Sequence, residues 1–215
     1  MAGCCHDDHC SSTKVPSSPH WRWVLWIALA INASMFLAEV VAGVAAGSAS
    51  LQADAIDFLG DAANYAISLG VAGMALTSRA RAAQLKGWSL GLLGATVLLS
   101  TAWHAYAGTL PKAGTMGLIA TLALLANGGV ALMLYRFRAG DANMRSVWIC
   151  SRNDVIGNLA VLAAAAGVFD TGTAWPDLIV ATIMAALGVS GGWQIVRHAH
   201  ADLRISSLSP VSAAR

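Results

Sequence analysis

The sequence predicts an all-α membrane protein of six transmembrane helices, and three observations predict it. Hydrophobic residues fill 57% of the 215 positions and charged residues only 11%, against roughly 25% charged in ordinary soluble domains. Six apolar stretches are each long enough to cross a hydrocarbon core of about 30 Å. Basic residues then segregate: with both termini cytoplasmic, eleven of the thirteen Lys and Arg fall on the inner side, an asymmetry that fixes membrane topology and requires an even number of spans. A soluble bundle would need polar outer faces, yet between Leu90 and Leu110 the only ionisable side chains are His104 and Tyr106.

The first stretch, Trp23 to Ala46, follows a polar N-terminus and is too long for a signal-peptide core, so it is expected to stay as a helix. Trp21 and Trp23 at its start suit interfacial anchoring, as do Trp88, Trp175 and Trp193 farther on. Gly47 and Ser48 turn the chain into the second stretch, Ala49 to Thr77, and a basic inner loop is expected from Ser78 to Gly87. The third runs from Trp88 to Leu110, and Pro111 to Ala113 form an outer turn. The fourth covers Gly114 to Phe137, Arg138 to Ala142 form an inner loop, and the fifth covers Asn143 to Phe169. Asp170 to Ala174 lead into the sixth, Trp175 to Val196. The expected organisation is a flexible tail over 1–20, a transmembrane domain over 21–197 and a short tail over 198–215.

Such short connections leave no room for a catalytic domain. There is no GxxxxGK[ST] loop to cradle a nucleotide phosphate and no HExxH pair to bind a catalytic zinc, so neither ATP-driven pumping nor metalloproteolysis has an apparatus and no enzyme is expected. The formal charge of +2 is spread over loops as topological information and needs no nucleic-acid partner. Gly43xxxGly47, Gly87xxxGly91 and Gly188xxxGly192 read as close helix packing.

The chemistry lies in acids placed where acids are expensive. Ionisable groups at bilayer depth mark ion or proton pathways by default. Positions three, four and seven apart share a helix face, so Asp54, Asp57, Asp61 and Asn64 form a polar stripe on the second helix. Cys150, Asp154 and Asn158 form a matching stripe on the fifth. At 1.5 Å per residue, Asp57 and Asp61 lie about 12 and 18 Å below the outer end of their helix, and Cys150 and Asp154 about 10 and 17 Å above the inner end of theirs. Both stripes thus reach the midplane. Three carboxylates and a thiolate suit a tetrahedral divalent ion, and because the ligands must shed protons first, metal binding is coupled to proton release. Protonated acids hydrogen-bonding between helices are the plainer alternative.

The acid-bearing helix is the second of each set of three, as in inverted three-helix repeats with a site between them. Glu39 and Asn32 share a face of the first helix and suit helix pinning or a proton path equally. Arg152 lies about 200° around the helix from Cys150 and Asp154, so it is expected to face away, snorkelling or pairing with a carboxylate such as Glu39. Cys4, Cys5, His6, His9 and Cys10 form a compact soft-ligand cluster, read either as an accessory metal-capturing tail or as a tail without a role.

The run Glu39 to Gly43, then Gly47-Ser-Ala-Ser-Leu51 and Asp54-Ala-Ile-Asp57-Phe-Leu-Gly-Asp61, resembles the second-helix signature of the cation diffusion facilitators, and Cys150-Ser-Arg-Asn-Asp154 through Asn158 resembles their HxxxD segment. The resemblance implies a transporter exporting zinc or a similar divalent ion from the cytoplasm in exchange for protons, by alternating access, in the bacterial inner membrane. Metal ion, protons and lipid would be its partners, with no resident cofactor and the metal as cargo. Carried over, Asp57, Asp61 and Asp154 match transport-site ligands; Asp54, Glu39, Asn64 and Asn158 are read from their own placement as proton path or supporting shell. Cys150 stands where His or Asp is usual, either a softer ligand favouring Zn²⁺ or Cd²⁺ or a small buried hydrophobe. The family's usual C-terminal cytoplasmic domain is not expected here, so a homodimer would rest on membrane helices. The rival expectation is a non-transporting membrane metal sensor or partner subunit that binds through the N-terminal cluster.

Overall fold

The computed structural model describes residues 19–70, 76–136 and 142–208, apart from some side chains within those helices. Over that range the chain is all-helical: α1 Pro19–Ala46, α2 Ala49–Gly70, α3 Leu76–Ala107, α4 Ala113–Tyr135, α5 Ala142–Thr171 and α6 Trp175–Leu208. Five of the six contain a span long and apolar enough to cross a membrane, namely Pro19–Ala46, Ala80–Ala107, Ala113–Tyr135, Ser151–Thr171 and Trp175–Ala201. The exception is α2, whose three aspartates lower its apolarity.

The fold accommodates that polar helix by enclosing it. Along α2 only Ala66 and Gly70 are exposed, and α1, α3, α5 and α6 all pack against it. The outer helices turn large apolar side chains outward, among them Val41, Leu92, Leu99, Leu125 and Ile183. Apolar side chains outside and polar ones at the centre are what a bilayer solvent selects.

Three extensive pairings build the bundle: α3 on α6, α1 on α2 and α4 on α5. The closest is α3 on α6, where a Cβ added at Gly192 would stand 2.6 Å from the Gly87 carbonyl oxygen and 2.7 Å from the Gly91 nitrogen. Backbone meets backbone there, which only glycine permits. Gly47 has a different job: its φ of 66° is the left-handed turn between α1 and α2.

The core has two parts. Leu51, Ala53 and Ile56 of α2 join Met116, Val161, Val168 and Met184 in one cluster, while Trp21, Leu25, Tyr65, Val130 and Leu134 form another. Between its contributions to these clusters α2 carries its carboxyls.

Several boundaries differ from expectation. The loop expected at Ser78 to Gly87 is helical, because α3 starts at Leu76. Its basic residues are spaced by Ala80, Ala82, Ala83, Gln84 and Leu85, all good helix formers. In the same way α6 runs to Leu208, past Val196 and through His198 and His200. Trp21 is no interfacial anchor: it is fully buried against α2 and α4, whereas Trp23, Trp88, Trp175 and Trp193 are exposed.

Candidate functional site

The first turn of α2 sets the depth of everything below it. Ser48 is its N-cap, its Oγ accepting from the Leu51 nitrogen at 3.2 Å. The two preceding backbone donors are claimed from another helix: Asp177, in the first turn of α6, accepts from the Ala49 nitrogen at 2.9 Å and the Ser50 nitrogen at 3.0 Å. The same carboxylate accepts from Ser48 Oγ at 2.7 Å and Ser50 Oγ at 2.5 Å. All three side chains are fully buried. A buried anion at a helix N-terminus is stabilised by the dipole and by each orphan N–H it satisfies. In the sequence the only sign of this cap is a lone acid opening an apolar helix.

Two turns down α2, Asp54 meets α5. Asn158 Nδ2 donates to both Asp54 carboxylate oxygens, at 2.9 and 2.7 Å, and Asn158 Oδ1 accepts from Asn127 Nδ2 of α4 at 2.9 Å. Asp54, Asn158 and Asn127 are all buried, so one polar chain ties α2, α5 and α4 together. Asn127 is an amide in the otherwise apolar fourth helix, and its place in that helix is the sequence signal for such a link. Glu39 of α1 is fully buried, and neither of its carboxylate oxygens has a hydrogen-bond donor among the described residues. Its neighbour is the Asp54 carboxyl.

Two turns farther, the Asp61 and Asp154 carboxyls meet side chain to side chain across the α2–α5 interface. Tyr65, one turn on, donates its hydroxyl to Asp61 Oδ2 at 3.2 Å. Asp57 and Asp154 are half-buried and Asp61 is buried. From α3, Lys86 Nζ donates to Asn64 Oδ1 and its charge acts on Asp61. Pairing Asp54 with Asn158 and Asp61 with Asp154 sets α2 and α5 antiparallel, in the sense the two stripes required.

Of the expected site residues, Asp61 with Asp154, Asp54 with Asn158, and Glu39 with Asp54 are brought together. Among the described residues no three Asp, Glu, His or Cys side chains are gathered tightly enough to hold a metal ion. Cys150 lies on α5, but its side chain is outside the described residues, as are Cys4, Cys5, His6, His9 and Cys10. Arg152 does face away: it is exposed, with its guanidinium carbon 5.4 Å from the Trp148 ring centroid. That cation–π contact, with a hydrogen bond to Asn153 at 3.4 Å, takes the place of the pairing with Glu39.

Fold and site together define an integral, multi-pass membrane protein with a carboxyl-lined interior. Residues 25–203 match the cation efflux transmembrane domain, and the chain belongs to that family. It is similar to the metal cation efflux system protein CzcD of Cupriavidus metallidurans (25% identical over 185 residues, 80% of this chain and 58% of the relative). It is equally similar to the cation efflux system protein CzcD of Alcaligenes sp. strain CT14, with the same identity and coverage. The chain thus spans well under two thirds of the length of these relatives.

Proposed function

We propose that this protein exports a divalent metal cation from the cytoplasm in exchange for protons, by alternating access, with zinc as the best-suited cargo. The observation that carries the reading is the meeting of Asp61 and Asp154 across antiparallel helices inside a cation efflux domain. Two carboxyls pressed together in a low-dielectric interior repel when both are ionised and need either a shared proton or a metal ion. Exchange of one for the other is the elementary step of an antiporter.

In this reading Asp57, Asp61 and Asp154 supply oxygen ligands and Cys150 a thiolate, with small movements of α2 against α5 closing the set around the ion. Glu39 and Asp54, neighbouring carboxyls nearer the α1–α2 turn, carry protons along the same column, and Asn158 and Asn64 orient it. The chain sits in a bacterial inner membrane with both termini cytoplasmic, and any homodimer forms through exposed helix faces.

The test is zinc uptake by everted membrane vesicles under an imposed pH gradient. Asp61→Ala and Asp154→Ala are each expected to abolish uptake while eluting as folded protein in detergent. Wild-type transport by either variant would overturn the site. Deleting residues 1–12 is expected to leave uptake in place; an absence of uptake by the wild type, with metal binding lost on that deletion and kept by the aspartate variants, would favour the sensor reading.

A further inference from the structure

Lys86 stands at the end of the carboxyl column, and topology alone gives it no reason to be there. A lysine serving only as a positive-inside marker would reach outward to water or headgroups. This one is half-buried and turned inward: its ammonium donates to Asn64 on α2 and its charge acts on Asp61, one turn away. Its base is fixed as well, because the next residue, Gly87, is pressed against Gly192 of α6 with no room for a methyl group. A flexible four-carbon stem therefore rises from an immobile point and delivers a compact +1 charge to Asn64, one turn of α2 from Asp61, which itself meets Asp154.

We propose that Lys86 is a specificity-determining residue, a tethered cation that competes with cargo for the Asp61–Asp154 site. This rests on the transport reading above and deepens it. With no metal bound, the ammonium partly compensates the carboxyls. An arriving cation must outcompete a charge held at high effective concentration, which a divalent ion does by its second charge and its direct oxygen bonds, and a monovalent ion does not. Held on Asn64 throughout, the ammonium opposes the bound ion, so the same residue that weakens binding speeds release.

The experiment is calorimetric titration of Cd²⁺ and Zn²⁺ into the purified full chain in lipid nanodiscs at one fixed pH. It compares wild type with Lys86→Met, Lys86→Gln, Lys86→Arg and Asp61→Asn, and adds vesicle transport kinetics. Gln keeps a hydrogen-bond donor for Asn64 and removes only the charge, so it separates charge from packing. The expected result is binding about tenfold to a hundredfold tighter in both Met and Gln variants, Arg within a few fold of wild type, and KM and kcat both reduced in the neutral variants. Equal or weaker binding by Lys86→Gln overturns the proposal while leaving the transport reading intact, provided wild type binds and Asp61→Asn does not. If wild type binds neither ion, or Asp61→Asn binds as wild type does, the transport reading and this proposal fall together.

Discussion

Ser48 and Asp177 are joined by a buried 2.7 Å hydrogen bond across 129 positions of sequence, and through it the start of α6 caps the start of α2. Helix caps usually come from the residue next door. Here the neighbour, Ser48, takes the Leu51 nitrogen, and the distant carboxylate takes those of Ala49 and Ser50.

Asp177→Ala is therefore expected to destabilise the protein by about 2–3 kcal/mol, since it strands several buried donors at once. Asp177→Asn keeps an acceptor oxygen and should lose less. Thermal unfolding in detergent, followed by tryptophan fluorescence, measures both. Zinc uptake should fall with Asp177→Ala, because Asp54, Asp57 and Asp61 take their depth from that turn.

The α3–α6 contact gives a contrast between two glycines one turn apart. A Cβ at Gly192 would lie 2.6 Å from a carbonyl oxygen, whereas one at Gly188 finds its nearest neighbour, Ile56 Cγ2, at 4.0 Å. Gly192→Val is expected to abolish monodisperse protein on gel filtration, and Gly188→Ala to elute as wild type.

Asn158 divides its amide between Asp54 and Asn127. Asn158→Leu breaks the hydrogen bonds to both partners at similar volume and should cost about 2 kcal/mol, from about 0.6 kcal/mol for each interhelical hydrogen bond in a membrane protein. Its larger effect should be on zinc uptake, through an Asp54 carboxylate no longer oriented. Asn158→Asp places a third acid beside Asp54 and Glu39 and should be worse in both assays.

Cys150 bears on metal choice. If its sulfur binds the cargo, Cys150→Ser should lower the preference for Cd²⁺ over Mn²⁺ by about tenfold or more in a proteoliposome panel, because oxygen replaces a soft ligand. Cys150→His should restore a borderline ligand and favour Zn²⁺. An unchanged metal order in both variants would show the sulfur to be a spectator.

Much of this was legible in the chain. The helix count followed from apolar length, the antiparallel α2–α5 relation from the alternation of six spans, and the facing polar residues from two stripes at helical spacing. Legibility failed where meaning depends on a distant partner. Asp177 gives no local hint that its donors lie 127 to 129 positions away. Trp21 has the composition of an interfacial anchor and becomes core only because Tyr65, Val130 and Leu134 surround it. Lys86 looks like part of a charged loop in sequence, since a window containing Arg79, Arg81 and Lys86 resembles one. Good helix formers carried α3 through that window, and the turn of the helix aimed Lys86 inward.

The enclosure of α2 also bears on how the chain enters a bilayer. A segment bearing three aspartates partitions poorly when it meets lipid alone. α1 carries a single acid, Glu39, in an otherwise apolar span, and it is joined to α2 by only Gly47 and Ser48 while packing along it. The two are thus suited to insertion as one hairpin, the apolar first helix taking the polar second with it. Until α5 and α6 arrive, Asp54 lacks Asn158 and the first turn of α2 lacks Asp177. Early in biogenesis α2 would be the part of the protein most exposed to membrane quality control.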